Sequence, residues 1–264
     1  MSTENKGTAL VTGASSGIGE LYADRLADRG YDLILVARRV DRLEAVAEKI
    51  HARTGRKVEV LRGDLTNRED IAAVERRLAE DASITLLVNN AGISLEGSLL
   101  QNGSENLERI VTVNILAPTL LMGAAAKAFV ARDKGGIINI ASVLAFAPEA
   151  FDVVYSGSKA HLLNMSLSLA AKLPTKNVRV QAVLPGATRS EIWEKSGKDV
   201  DALLPGMVMD THDLVDAALL GYDRGEVVTI PPLADENQYK AYEYSRYVMG
   251  PNLSRKDVAP RYRS

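Results

Sequence analysis

There is no cysteine among these 264 residues, which excludes a disulfide framework, a thiolate nucleophile and a cysteine zinc site. Histidine is almost as scarce. The three residues, at 51, 161 and 212, are scattered and make a poor basis for a metal centre. Aromatic residues make up 5% of the chain, with a single tryptophan. Neither sign of charge is in excess. The 34 acidic and 32 basic side chains leave a net charge of −2 and a pI near 6.0, which gives no electrostatic footprint for nucleic acid or an anionic membrane. No uninterrupted apolar run approaches the ~20 residues of a membrane span, and Met1–Lys6 is polar where a signal peptide needs an apolar core. No Pro/Gly/Ser linker, internal repeat or low-complexity block divides the chain. The expectation is a soluble cytoplasmic protein of one domain, with no metal, membrane or nucleic acid as partner.

What remains is an ordinary globular balance, 46% apolar and 25% charged, with short β-branched runs alternating with helical patterns. Strands are expected at Thr8–Val11, Leu33–Ala37, Lys57–Arg62, Thr85–Asn89, Gly136–Ala141, Val178–Leu184 and Val227–Ile230. Helices are expected at about 17–29, 40–54, 67–81, 103–132, 153–173 and 211–223. Continuous apolar runs such as Leu33–Ala37 mark strands buried on both faces. Their alternation with helices predicts an α/β fold, a doubly wound parallel sheet of about seven strands with helices on both faces. Two segments break the rhythm. Residues 187–210 read as a lid beside a site, and residues from about 231 to 264, rich in tyrosine, read as a C-terminal extension whose helix packs on its own or a neighbouring subunit.

Two clusters carry chemistry. Gly13-Ala14-Ser15-Ser16-Gly17-Ile18-Gly19 follows the first strand and opens a helix. Glycines there permit a tight turn and close backbone approach, and the helix N-terminus offers free N–H groups to phosphates. Tyr155-Ser156-Gly157-Ser158-Lys159 places a phenol and an amine four residues apart, on one face of a helix. Ser142 precedes the phenol at the end of another strand. A dinucleotide cradle together with a polarisable tyrosine predicts hydride transfer to or from a carbonyl. The end of the second strand selects the cofactor. A carboxylate there would bind the ribose 2′-OH of NAD, but the chain has Ala37-Arg38-Arg39. Arg38 is read as gripping the 2′-phosphate of NADPH; the alternative is a solvated arginine pair starting the next helix. Asp64 and Leu65 end the third strand, where Asp64 accepts from the adenine amino group or caps the next helix in competition with Thr66 and Asn67. Asn90-Ala91-Gly92 ends the fourth strand and suits passage along the riboses.

The order Thr12-Gly13-x-x-x-Gly17-x-Gly19, Asn89-Asn90-Ala91-Gly92, Asn114, Ser142, Tyr155-x-x-x-Lys159 and Pro185-Gly186-x-Thr188 resembles the short-chain dehydrogenase/reductase family over residues 7 to 230. The resemblance implies a Rossmann-type sheet, a nicotinamide cofactor, and a Ser142–Tyr155–Lys159 site supported by Asn114, which would hold a water linking Lys159 to a proton relay. It also implies a homodimer or homotetramer through the helices at 103–132 and 153–173. One departure is Gly157, where the family more often has alanine. On this reading Lys159 lowers the phenol toward neutrality and holds the nicotinamide ribose hydroxyls. Tyr155 acts as acid or base, Ser142 donates to the substrate oxygen, and Pro185, Gly186 and Thr188 meet the nicotinamide carboxamide. Leu144 and Trp193 are substrate candidates, with Glu149 and Phe151 near them. Trp193, Ile192, Leu203, Leu204 and Met207 form an apolar wall over a bulky, uncharged carbonyl or secondary alcohol, or bury one another. The preferred function is NADPH-linked carbonyl reduction. The alternatives are an NAD-linked alcohol dehydrogenase and a non-catalytic dinucleotide-sensing protein.

Overall fold

Every apolar run read as a strand forms one, because alternate side chains feed two separate cores. In β1 (Thr8–Thr12), Ala9 and Val11 face one layer while Leu10 faces the other. In β2 (Asp32–Ala37), Leu33 and Leu35 face the first and Ile34 and Val36 the second. β3 (Val58–Arg62), β4 (Ile84–Asn89), β5 (Gly135–Ile140), β6 (Val178–Val183) and the short β7 (Val228–Thr229) complete a seven-stranded sheet. Its order is β3-β2-β1-β4-β5-β6-β7 and all pairs are parallel. The computed structural model describes residues 5–97, 99–150, 152–175, 177–189 and 204–263.

Helices α1 (Gly17–Asp28) and α2 (Val40–Thr54) cover the first face, with α7 (Thr211–Asp223). α3 (Arg68–Glu80), α5 (Ala117–Ala131) and α6 (Val153–Lys172) cover the second. Each fully buried Leu, Ile or Phe in these layers contributes roughly 1.5–3 kcal/mol. Strand order reverses between β1 and β4, so their carboxyl ends open the crevice where such sheets hold ligands.

The stretch expected as one helix at 103–132 is broken. α4 (Ser104–Val111) passes through a π turn, Thr112–Leu116, into α5. Pro118 in the first turn of α5 has no N–H, and the carbonyl four residues before it is that of Asn114, so the ladder loses a bond there and re-registers. By length and composition Ser104–Ala131 is apolar enough to cross a membrane, contrary to the expectation of no such stretch. Half of its most apolar window is buried inside the fold. Asn114, Pro118 and Thr119 interrupt the run without adding charge, which is why counting uninterrupted apolar residues missed it.

A row of buried amides crosses the second layer. Asn89 Nδ2 donates to Asn139 Oδ1 at 2.9 Å, and Asn139 Nδ2 donates to Ser166 Oγ of α6 at 2.9 Å. Ser166 passes its own proton to the Leu162 carbonyl at 2.7 Å. Asn89 and Asn139 are register partners on β4 and β5.

The chain divides into two compact units, Met1–Pro231 and Pro232–Ser264. The second holds α8 (Glu236–Met249), capped by Asp235 through the Asn237 N–H. None of the α8 residues is buried, and Tyr242, Tyr244 and Tyr247 are exposed.

Candidate active site

The glycine turn after β1 is built by backbone geometry. Gly13 and Gly17 have φ of 67° and 56°, the left-handed region that glycine adopts without penalty. A Cβ on Gly19 would overlap the Gly13 carbonyl oxygen. Ser16 is the N-cap of α1 and makes no side-chain cap bond, which leaves N–H groups of the first turn for an anion. This cradle fits the pyrophosphate of a dinucleotide. A cleft of about 270 Å³ lies beside it, lined by Ser15, Ser16, Glu20, Arg42, Val46 and Lys49 among others. Ile18 packs against the core beneath.

The structure places several of the expected cofactor residues differently from the simplest reading. Arg39, not Arg38, reaches the turn: its Nη2 donates to Ser15 Oγ at 3.3 Å and Ser16 Oγ at 3.4 Å. Arg38 is exposed. Asn90 turns inward and braces the loop, with Nδ2 donating to the carbonyls of Thr12 (2.9 Å) and Gly13 (3.2 Å). The Thr12 hydroxyl accepts from the N–H groups of Asn90 and Ala91. Asp64 Oδ1 accepts from the Thr66 N–H and hydroxyl, whereas the cap of α3 is Asn67. The Leu65 side chain is buried in the second core, so only its backbone is available to a ligand.

At the other side of the crevice, β5 delivers Ser142 just beyond its end and α6 delivers Tyr155 and Lys159. Ser142 is nearly buried. Its hydroxyl bonds the Tyr155 phenol and accepts from the Leu144 N–H at 3.2 Å, which orients the half-buried Leu144 beside it. Lys159 is 5% exposed; its Nζ donates to the Ile140 carbonyl at 2.8 Å and lies 5.4 Å from the centre of the Tyr155 ring. Asn114 Oδ1 accepts from the Ile93 N–H at 2.9 Å, and its Nδ2 donates to the Ile93 carbonyl and to Ser158 Oγ. Gly92 sits against both groups: a Cβ there would lie 3.4 Å from Lys159 Nζ and 3.6 Å from Asn114 Oδ1. The four side chains expected at the chemical centre therefore converge. Pro185, Gly186 and Thr188 close the same end of the sheet. The Pro185 carbonyl accepts from the Val143 N–H, and Thr188, buried, bridges to Met209. Trp193, Ile192 and Leu203 lie outside the described residues, as does Phe151. Met207 is exposed, as is Glu149.

Burial dominates the electrostatics of the pair. It pushes the Tyr155 phenol up to about 12, with the Ser142 hydrogen bond pulling the other way. It pushes Lys159 down from 10.5 to about 8. The lowering of the phenol expected from Lys159 is not found: burial raises it, and the Ser142 hydrogen bond is what lowers it. The phenol is thus held protonated at neutrality, as a proton donor to a developing alkoxide must be. Sequence reasoning named Thr12 and Ser158 only as motif positions, without a role, and did not single out Asp152 or the Ile93 backbone. Of the last two, Asp152 carried a signal, a capping residue directly before an expected helix.

Residues 7–201 match the family model for short chain dehydrogenases. The chain belongs to the short-chain dehydrogenase family. As a short-chain dehydrogenase it is an oxidoreductase, and its site fits hydride exchange between a carbonyl and an alcohol. It is 47% identical to a short-chain dehydrogenase from Sphingobium yanoikuyae solved in complex with NADPH, with a TM-score of 0.93 over 97% of this chain and 100% of that one. It is 41% identical to the bulky-bulky ketone specific alcohol dehydrogenase from Comamonas testosteroni, with a TM-score of 0.90 over 99% of this chain and 100% of that one. Human 17-beta-hydroxysteroid dehydrogenase type 3 is 33% identical over 181 residues, 68% of this chain and 58% of that protein. The match thus spans less than two thirds of the human protein's length.

Proposed function

We propose that this chain is an NADPH-dependent carbonyl reductase, reversible as a secondary alcohol dehydrogenase, acting on bulky uncharged ketones. The observation that carries this reading is the convergence of Ser142, Tyr155, Lys159 and Asn114 at the crevice opposite the glycine turn. In reduction, Tyr155 gives its proton to the developing alkoxide and Ser142 stabilises that oxygen. In oxidation, Tyr155 must first lose its proton, and the phenolate then takes the proton of the alcohol. Lys159 keeps positive charge against the phenol ring. When bound, the nicotinamide supplies or accepts the hydride.

Preference for NADPH is supported by the absence of a carboxylate at Ala37 and by two arginines just after β2, of which Arg39 reaches Ser15 and Ser16. A 2′-phosphate gripped by one of them gains roughly 1.5–3 kcal/mol, and about 1.4 kcal/mol is a factor of ten. NADPH is therefore expected to bind at least tenfold tighter than NADH. Ala37→Asp combined with loss of both arginines reverses the order, because the carboxylate repels the phosphate and accepts from the 2′-OH. Calorimetry with both cofactors decides the matter; equal affinity of the unaltered chain would sink the assignment. Bulky ketones are supported by the apolar Leu144 beside Ser142 and by the Comamonas enzyme's described specificity. The test is NADPH oxidation with aryl alkyl ketones of increasing alkyl length. Rates that fall as soon as the methyl group is extended would refute a bulky pocket. We also propose assembly through α5 and α6 into a homodimer or homotetramer, to be read by light scattering on a sizing column.

A further inference from the structure

We propose that Asp152 and Ser158 are positioning residues for Tyr155, gripping its two peptide groups so that the phenol stays on Ser142. This rests on the catalytic reading of Tyr155 given above.

Tyr155 is the third residue of α6, inside the first turn, where backbone N–H groups have no partner within the helix. The residues around it do little to hold that turn. Val153 and Val154 are β-branched, Val153 is 63% exposed, and such residues lose rotamer freedom in a helix. Gly157 has nothing within 4 Å of where its Cβ would be, so no side-chain packing anchors the turn from that position. Side chains replace packing. Asp152 Oδ1 accepts from the Tyr155 N–H at 2.8 Å, and the Ser156 hydroxyl donates to the Asp152 carbonyl. On the other side of the residue, the Ser158 hydroxyl donates to the Tyr155 carbonyl at 2.6 Å. Ser158 is fully buried, and its oxygen accepts from Asn114 Nδ2 at 3.1 Å. Asn114 in turn closes on both backbone groups of Ile93. The backbone of Tyr155 is thus tied through Ser158 and Asn114 to the loop after β4, and through Asp152 to the helix start.

Asp152 has a second peculiarity. Its other oxygen, Oδ2, is buried with no hydrogen-bond partner among the described residues. An unpartnered buried carboxylate oxygen is unfavourable, and a cap alone is served equally well by serine or asparagine. The capping oxygen, not the charge, is what the site requires on this account.

The decisive experiment compares Asp152→Ala, Asp152→Asn and Ser158→Ala with the unaltered chain. Each protein is labelled with 3-fluorotyrosine, and the Tyr155 resonance is assigned by its loss in Tyr155→Phe. Asp152→Ala and Ser158→Ala are expected to broaden and move that resonance. Asp152→Asn, which keeps the capping oxygen, is expected to leave it in place. With 1-phenylpentan-1-one and its alcohol as substrates, Asp152→Ala should lower kcat at least tenfold with KM and NADPH affinity unchanged. The midpoint of alcohol oxidation against pH should move alkaline, because the phenol loses the Ser142 bond that lowers it. Asp152→Asn should stay within about threefold of the unaltered chain. An unmoved resonance in both Asp152→Ala and Ser158→Ala would overturn the proposal. So would equal losses in Asp152→Asn and Asp152→Ala, which would assign the effect to charge. If the unaltered chain turns over no ketone while the resonances behave as expected, the functional reading fails and the positioning of Tyr155 stands.

Discussion

Replacing Lys159 by methionine is expected to make the protein more stable at neutral pH while abolishing turnover. The ammonium is 5% exposed, and burial lowers its pKa from 10.5 to about 8. At about 1.4 kcal/mol per pH unit, that depression corresponds to about 3 kcal/mol held against the folded state while the amine is charged. Methionine has similar volume and no charge to desolvate. It loses the bond to the Ile140 carbonyl, which returns roughly 1–2 kcal/mol. The net gain at pH 7 is about 1–2 kcal/mol. Its pH dependence is the sharper test. Above the folded pKa and below the unfolded one, the unfolded chain binds the proton and the folded chain does not, so wild-type stability rises with pH. The advantage of Lys159→Met should therefore shrink by about 2 kcal/mol between pH 7 and pH 10. Urea unfolding of both proteins at four pH values measures it. A difference that stays constant across that range would mean the ammonium is not desolvated, and the reasoning fails with it.

Tyr155→Phe should bind NADPH as the unaltered chain does, by fluorescence titration, yet lose at least a hundredfold in kcat, since general acid catalysis contributes about 10²–10⁴; activity within tenfold would remove the phenol from the mechanism. Gly19→Ala puts a Cβ onto the Gly13 carbonyl oxygen and should weaken dinucleotide binding at least tenfold and lower the melting temperature; unchanged affinity would show that the turn is not the pyrophosphate cradle. The Tyr22 hydroxyl is buried without a hydrogen-bond partner among the described residues, so Tyr22→Phe should gain about 1 kcal/mol in chemical denaturation. A loss of that size would reveal a partner for the hydroxyl.

The strands were legible because parallel strands buried on both faces must be apolar throughout, and Leu33–Val36 is. The Tyr155–Lys159 pair was legible because a helix brings every fourth residue to one face. The break at Thr112–Leu116 was not read, although Pro118 announces it. An apolar pattern continues through a π turn, and only the lost backbone bond marks the change of register. Arg38 and Arg39 show a different limit. Composition put two arginines at the end of β2, but which one faces Ser15 depends on the backbone of the turn into α2. Ser158 had no signal at all, because a serine beside a catalytic lysine looks like any other until its hydroxyl is seen on the Tyr155 carbonyl.

The row of amides through Asn89, Asn139 and Ser166 bears on how the protein comes apart. Each member answers the next, so moving any one of β4, β5 or α6 strands a buried polar group at a cost of about 1–3 kcal/mol. Partial openings of this region are therefore worse than either the closed or the fully open state, and the three elements should act as a single cooperative unit. Native-state hydrogen exchange should give the amides of Leu86–Asn89, Ile137–Ile140 and Leu162–Ser166 one common opening free energy, and Asn139→Leu should split it into separate values.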